Sequence, residues 1–374
     1  MKFTINRSTL LTVLNDVAHG LSSKTPMPVL TGIKIDAFLD SLTFTASNRE
    51  ISIQVKLEKN ENFEIEEEGK CVVPGKYFID IAKKIEEEKI NFVLFEENTV
   101  KITTDKTDFT LVALDKDAFP IISFEKIGDP IVLKSSVLKK TIKQTNFAAG
   151  ISEARVILTG VCFEINGDKL SVIATDSYRL AKKEIILDKE YPHTKINIPN
   201  KALEELEKII SDKEENVFLY LISNKVLIIY KDIAFITRLI EGNYPDTSAL
   251  FPKEHLTTLT LKKNELISTV DRASLFTNMD SSNVIKIMIK ANKSVQIASN
   301  NNELGRVIEE IIPIKEPEIN NFQTAFSSKY FTEALKAFES DSIDIKFTGE
   351  IKPFVITGEN DSGLLQLILP VRIF

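Results

Sequence analysis

Residues able to make or break bonds are few in this chain, and they do not gather. The three histidines, His19, His193 and His255, lie far apart, and the only two cysteines, Cys71 and Cys162, sit in separate apolar runs. No zinc site of the usual ligand spacing can be drawn from that set, so no metal or other cofactor is expected. No two of the 13 glycines are separated by a single residue, which removes the G-x-G nucleotide loop, and no G-x-x-x-x-G-K phosphate cradle occurs in the chain. The most enzyme-like carboxylate is Asp176 in ATDSYRL. With Glu153 or Asp246 it gives the catalytic alternative, a three-domain transferase working in an interdomain cleft. The residues equivalent to Asp176 in the repeats described below read as Asn48 and Asn300. A slot that takes Asn as readily as Asp fits a turn bonding its own backbone better than a general acid. What does recur is lysine: Lys76, Lys201 and Lys329 occupy one position of a repeated helix. Such a set carries charge in threefold register and no catalytic apparatus.

The elements that must carry these residues come in triplicate. FTINRSTLLTVLNDVAHGL from Phe3 is echoed by IVLKSSVLKKTIKQTNFAAG from Ile131 and LTLKKNELISTVDRASLFT from Leu259. VVPGKYFIDIAKKI from Val72 returns as INIPNKALEELEKII from Ile196 and TAFSSKYFTEALKAF from Thr324. A period of about 125 residues is the size of a domain, not of a solenoid unit. In the first repeat, Phe3–Ile5 reads as a strand, and Ser8 as the N-cap of a helix ending near Gly20. Three strands follow, then a strand at Cys71–Val73, a helix over Lys76–Ile85, and three more strands. This is two βαβββ units per domain, an α+β class with antiparallel sheets and both helices on one side. Gly128-Asp129-Pro130 and Pro252-Lys253-Glu254 punctuate the restarts, giving domains 1–128, 129–252 and 253–374.

Composition admits such a protein. Hydrophobic content is 43% and charged content 27%, ordinary for a chain with real cores. No apolar run approaches the ~20 residues that span a bilayer, and MKFTINR lacks the apolar core of a signal peptide. A reduced cytoplasmic setting fits the cysteine usage. The formal net charge of −7 argues by itself against nucleic acid. The charge is uneven, however. Six glutamates crowd positions 58–68, whereas the helix after Ile131 carries Lys134, Lys139, Lys140 and Lys143 with no acid before Glu153. An acidic protein can still own a basic face.

With the repeat in hand, MKFTINRSTLL, KTPMPVL at Lys24–Leu30, IATDSYRLA at Ile173–Ala181, EGNYPD at Glu241–Asp246 and LPVR at Leu369–Arg372 together resemble the bacterial DNA polymerase III beta subunit, the replicative sliding clamp family. The resemblance covers the whole chain in order. It implies a non-catalytic, head-to-tail homodimeric ring with helices lining the hole and sheets outside. Such a ring encircles duplex DNA without regard to sequence, in the nucleoid-associated cytoplasm. It holds the polymerase III alpha subunit, clamp-loader subunits and other proteins bearing a clamp-binding motif. Arg7, Lys24, Lys76, Lys139, Lys140, Lys143, Lys201, Lys262, Lys263 and Lys329, with Arg272, are then candidates for a basic bore.

The resemblance also implies a partner-peptide cleft, carried over as Leu158, Thr175, Ser177, Tyr178, Arg179, Leu180, Pro245, Leu250, Ile351, Leu369, Pro370, Val371 and Arg372. Aliphatic residues would form its floor, and Arg179 and Tyr178 would hold the peptide's polar ends at the lip. Ala249 stands where many relatives carry arginine and Tyr178 where some carry histidine, while Phe374 is close enough in sequence to cover part of the cleft. Ring closure would bring Phe109 and Leu111 against Leu275 and Phe276 of the other copy. The rival to this picture, besides the transferase, is a DNA-free peptide-binding scaffold of the same fold, which the repeated lysine slot opposes.

Overall fold

The computed structural model describes residues 1–22, 25–96, 98–252, 254–277, 283–301 and 303–372. The first repeat contains β1 (Lys2–Asn6), α1 (Arg7–Ala18), β2 (Gly32–Phe38), β3 (Ser41–Ser47), β4 (Ile51–Glu58), β5 (Phe63–Glu67), β6 (Gly69–Pro74), α2 (Gly75–Lys84), β7 (Lys89–Phe95), β8 (Thr99–Thr103) and β9 (Asp108–Val112). The second has β10 (Ile131–Lys134), α3 (Ser135–Thr145), β11 (Gly160–Thr175), β12 (Arg179–Pro199), α4 (Asn200–Ile209), β13 (Asn216–Ile222), β14 (Lys225–Tyr230) and β15 (Ile233–Arg238). The third has β16 (Thr257–Lys262), α5 (Lys263–Ser274), β17 (Val284–Ile289), β18 (Val295–Asn301), β19 (Gly305–Ile311), β20 (Phe322–Ser327), α6 (Ser328–Lys336), β21 (Ser342–Phe347), β22 (Phe354–Gly358) and β23 (Leu364–Ile368).

The expected strand–helix–strands order is present, with three differences. β5 was not anticipated; its glutamates hide a strand that pairs with β1 through Phe63 and Ile65. In the second repeat the strands fuse into two long ones, β11 and β12, because the pair bends through register shifts around Gly167 without parting. Gly167 takes φ +65°, open to glycine at little cost. Finally, Ser8 is not an N-cap. α1 starts at Arg7 after Asn6, whose side chain does not cap it. The first N–H of the helix instead reaches the Glu88 carbonyl at 2.7 Å, so a tertiary contact replaces the local one.

Sheets cross the repeats. The order β10-β13-β14-β15-β4-β3-β2-β6 joins strands of the second repeat to the first, with Ile233 opposite Val55 and Thr237 opposite Ile51. The order β11-β12-β23-β22-β21-β16 joins the second to the third, with Arg179 opposite Ile368 and Leu180 opposite Leu367. A five-stranded sheet, β5-β1-β7-β8-β9, stays within the first repeat, and a four-stranded one, β19-β18-β17-β20, within the third. By packing, the chain forms two compact bodies, residues 1–136 with 205–239 and residues 137–204 with 240–374.

In the first body Phe3 and Phe92 face each other across β1 and β7 and stack at 4.7 Å, and Phe78 of α2 meets Phe92 edge-on. In the second body Phe322, Phe326, Phe331, Phe347 and Phe354 fill the space between α6 and the sheets. The polar counterpart of that core is Asp361, which is 2% exposed. Its carboxylate accepts from the Glu339 and Ser340 N–H groups, from Ser340 Oγ at 2.6 Å and from Gln144 Nε2 of α3 at 3.2 Å. Burial pushes this carboxyl up, but the Ser340 and Glu339 hydrogen bonds outweigh it and hold its pKa below the usual value.

Asp361→Ala strands those donors and is expected to cost about 3 kcal/mol, read from urea unfolding at neutral pH. Because the folded pKa lies below the unfolded one, the carboxylate's stabilisation is complete above the ordinary Asp range. It is lost as pH falls through the folded value, so the wild-type and variant stabilities should converge on acidification.

Candidate nucleic-acid and peptide interfaces

The first helix of every repeat begins in the same way. The N–H groups of Arg7, Ser135 and Lys263 donate to the carbonyls of Glu88, Glu215 and Asp341 at 2.7, 2.7 and 2.8 Å. Their side chains follow suit. Arg7 Nη2 donates to the Lys83 carbonyl at 3.1 Å, Ser135 Oγ to the Lys213 carbonyl, and Lys263 Nζ to the Phe338 carbonyl at 2.7 Å. This slot ties the start of one helix to the chain leaving its neighbour, and a serine serves as well as a cation. Arg7 and Lys263 are therefore stitches, not the free phosphate contacts the sequence led us to expect. Lys140 is ion-paired with Glu339, and Arg272 grips both oxygens of Glu309 at 2.6–3.0 Å. Both charges are matched by carboxylates within the single chain.

Lys76, Lys201 and Lys329 behave differently. Each is the second residue of the second helix, in α2, α4 and α6, and each is exposed with no ion-pair partner among the described residues. Lys262, at the end of β16, is also exposed, as is Lys143 on α3, where Lys139 is half-buried. Lys24 lies outside the described residues.

The cleft residues converge in the second body. Thr175, Asp176, Ser177 and Tyr178 make the turn between β11 and β12. Asp176 Oδ1 accepts from the N–H groups of Tyr178 and Arg179 at 2.9 and 3.0 Å. Asn48 does the same for Glu50 and Ile51, and Asn301 for Glu303 and Leu304. The Asp/Asn slot is thus a backbone-bonding turn, as its composition implied, although its third member is Asn301 and not Asn300. The side chain of Glu153, the alternative acid, lies outside what the structure describes.

Below the turn, Leu158 and Leu180 join Cys162, Ile173, Tyr244, Val355 and Leu367 in one buried cluster, with Phe251 packed on it. The Thr175 N–H donates to Tyr244 Oη at 3.0 Å, and burial pushes the Tyr244 phenol up, so it stays neutral. Above the floor, Tyr178 is 63% exposed and Ile351 67%. Leu250, Leu369 and Val371 also show apolar surface, with Pro245 and Arg372 exposed and Pro370 half-buried beside them. Backbone bonds hold the terminal segment, from the Leu369 N–H to the Tyr178 carbonyl at 2.9 Å and from the Val371 N–H to the Ala325 carbonyl at 2.7 Å. Phe374 lies outside the described residues.

Arg179 is not at the lip. It is 7% exposed, paired with Asp176 at 3.0 Å and with Glu333, bonded to the Phe147 carbonyl at 2.6 Å, and stacked against Tyr330 at 4.5 Å. A guanidinium with five donors and a flat face is the only side chain that satisfies all of these. It braces the turn from beneath, and Tyr178 stacks on Tyr330 at 6.3 Å. Tyr330 and Glu333 were missed in the sequence because both lie more than 150 residues from Arg179 along the chain. The repeated K-Y-F at Lys76 and Lys329 was the one trace of them. Neither thiol is available for chemistry: burial pushes Cys162 to about 11 and Cys71 to about 12. Phe109 and Leu111 are half-buried on β9, the outer strand of its sheet. Leu275, 65% exposed, and half-buried Phe276 follow α5, with the Phe276 ring about 4.0 Å from where a Cβ on Gly305 of β19 would lie.

Repeated helix pairs with one lysine slot unpaired among the described residues, sheets shared between repeats and an exposed apolar surface set on backbone turns fit a protein of the DNA-clamp class. Residues 1–123, 132–246 and 248–372 match the N-terminal, central and C-terminal domains of the DNA polymerase III beta subunit. Beta sliding clamps of Staphylococcus epidermidis and Staphylococcus aureus are 39% identical over the full length of both chains. The sliding clamp of Bacillus subtilis superposes over the full length of both chains with a TM-score of 0.95 at 37% identity, and the beta chain of Streptococcus pneumoniae does so with 0.95 at 32%. The chain belongs to the DNA polymerase III beta subunit family, the non-catalytic sliding clamps of DNA replication.

Arg179→Ala should lower stability by about 3–5 kcal/mol, because it leaves Asp176 and Glu333 without their buried partner. Arg179→Lys should recover little of this. Lys76→Ala, Lys201→Ala and Lys329→Ala should each stay within about 0.5 kcal/mol of the parent. Thermal unfolding of the set checks both statements.

Proposed function

We propose that two copies of this chain close head to tail into a ring around duplex DNA and tether the replicative polymerase to it. One observation carries the reading. Every junction between repeats is a strand pair of one kind: a repeat's last strand, β15 or β23, lies on β4 or its counterpart β12 in the repeat before. The matching last strand of the first repeat is β9, and the matching acceptor in the third is β19. Both are outer strands in the single chain. Pairing β9 of one copy with β19 of another repeats the same junction and leaves no such edge open, which is the closed symmetry of a head-to-tail dimer. Phe109 and Leu111 on β9, and Leu275 and Phe276 beside β19, are the apolar groups that closure would cover.

In this reading the chain has three domains, 1–128, 129–252 and 253–374. Lys76, Lys201 and Lys329, with Lys24, Lys139, Lys143 and Lys262, face phosphate without reading sequence. The Tyr178–Leu250–Ile351–Leu369 surface takes an apolar peptide from the polymerase III alpha subunit, the clamp loader or other partners. Processivity then comes from topology, and the protein works in the cytoplasm on the nucleoid.

The test is retention on circular DNA after loading by a matched clamp loader with ATP. The ring predicts that protein stays with circles at moderate salt and leaves after one linearising cut. Equal retention on both forms, or none, would overturn it. Leu111→Asp should give monomers in sedimentation and abolish retention. The triple variant Lys76→Ala, Lys201→Ala, Lys329→Ala should weaken binding to a short duplex and flatten its salt dependence, by about 0.9 in the log–log slope for each phosphate that is no longer neutralised. An unchanged slope would favour the DNA-free scaffold.

A further inference from the structure

The repeat that builds the peptide cleft also builds a second pocket, in the first body, with a different chemistry. The strand registers align the two. Asn48 and Asp176 make the same turn, and the residues after them, Arg49 and Ser177, are both left-handed at φ 79° and 78°. Ile236 lies opposite Ser52 as Leu367 lies opposite Leu180. Phe119-Pro120 stands where Tyr244-Pro245 stands, and Phe119 is buried over Leu30 and Val72 as Tyr244 is over Leu158 and Cys162. The result is a cavity of about 350 Å³.

Its lining departs from the cleft in one direction. Ser177 is replaced by Arg49, Leu180 by Ser52, and the position of Leu369 by Arg238, with Lys225 opposite Arg238 on β14. Arg49, Arg238 and Lys225 have no carboxylate partner among the described residues, and Glu50 is the only acid in the lining. Three unmatched cations around a concave site favour anionic groups. Met27, Ile121, Ile122 and Ile236 give the wall an aliphatic part beside Ser47, Ser52 and Thr237, and Ile121 is fully exposed. Among the described residues no aromatic ring lines the site to stack a base.

We propose that this pocket, lined by Arg49, Arg238, Lys225, Ile121 and Ile236, binds an extended peptide segment in which acidic side chains adjoin aliphatic ones. The clamp then offers two peptide sites per chain of opposite preference, one apolar and one acidic. The proposal rests on the cleft reading only for the ligand class, a peptide.

The test uses the full-length protein with isoleucine methyl groups labelled for NMR. The probes are a terminally blocked Leu-Asp-Glu-Ile peptide, its Leu-Asn-Gln-Ile counterpart, a blocked Leu-Gly-Leu-Phe peptide and a ten-residue oligothymidylate. The acidic peptide should shift the methyls of Ile121, Ile122 and Ile236 saturably, and Arg49→Ser with Arg238→Ser should weaken that binding at least about tenfold. If that double variant fails to fold, Lys225→Gln reads the same loss on the same wall. Absence of shifts up to the solubility of the peptide, equal shifts with the neutral peptide, binding unchanged in the variants, or shifts with oligothymidylate instead would each overturn the proposal. Ile351 reports separately on the apolar cleft. If Leu-Gly-Leu-Phe moves Ile351 while the acidic peptide moves nothing, the second pocket fails and the cleft stands; the reverse pattern fails the cleft alone.

Discussion

The antiparallel backbone pairing between repeats governs nearly everything else in this protein. β15 on β4 and β12 on β23 are ladders of main-chain hydrogen bonds whose register is pinned by buried side chains on one face, Ile53 and Phe235 at the first junction and Leu180 and Leu367 at the second. A slip by one residue would turn those side chains out of the core, so the junctions tolerate no play. They fix where the turns at Asn48 and Asp176 sit, and the turns in turn fix what borders each pocket. They also explain why one kind of edge is left over at each end of the chain.

Function here asks little of reactive groups. A clamp needs shape, a set of cations that do not read sequence, and a place for partners to hold. Among the cations that sequence marked for phosphate, Arg7 and Lys263 are engaged by backbone carbonyls, and Lys140 and Arg272 by carboxylates. Lys76, Lys201 and Lys329, which have no ion-pair partner among the described residues, repeat in one slot at the start of α2, α4 and α6. The recurrence matters because a charge retained in threefold register serves every repeat alike, whereas a charge present in one repeat answers to its local neighbours.

The cleft shows how a polar network can support an apolar surface. Arg179 is buried under the turn with two carboxylates, a carbonyl and two aromatic rings, fully satisfied where an unpaired charge would be ruinous. That rigid base lets Tyr178, Leu369 and Val371 stay exposed in defined positions. The equivalent position in the first repeat is Ile51, which needs no such brace, and there the surface above sets Arg49, Arg238 and Lys225 beside aliphatic residues.

Sequence pattern was enough to read the repeated segments, the α+β class, the helix pairs and the lysine slot, because hydrophobic periodicity acts within a few positions of sequence. It was enough, too, to read Asp176 as a turn-former. Which strands would pair across repeats, that β11 and β12 would run unbroken through a bulge, that α1 would start on a carbonyl of residue 88 and not on a serine cap, and that Arg179 would face inward were decided only by tertiary structure. Each depends on groups separated by tens to hundreds of residues, brought together by sheet register and burial, and no short-range signal carries that information.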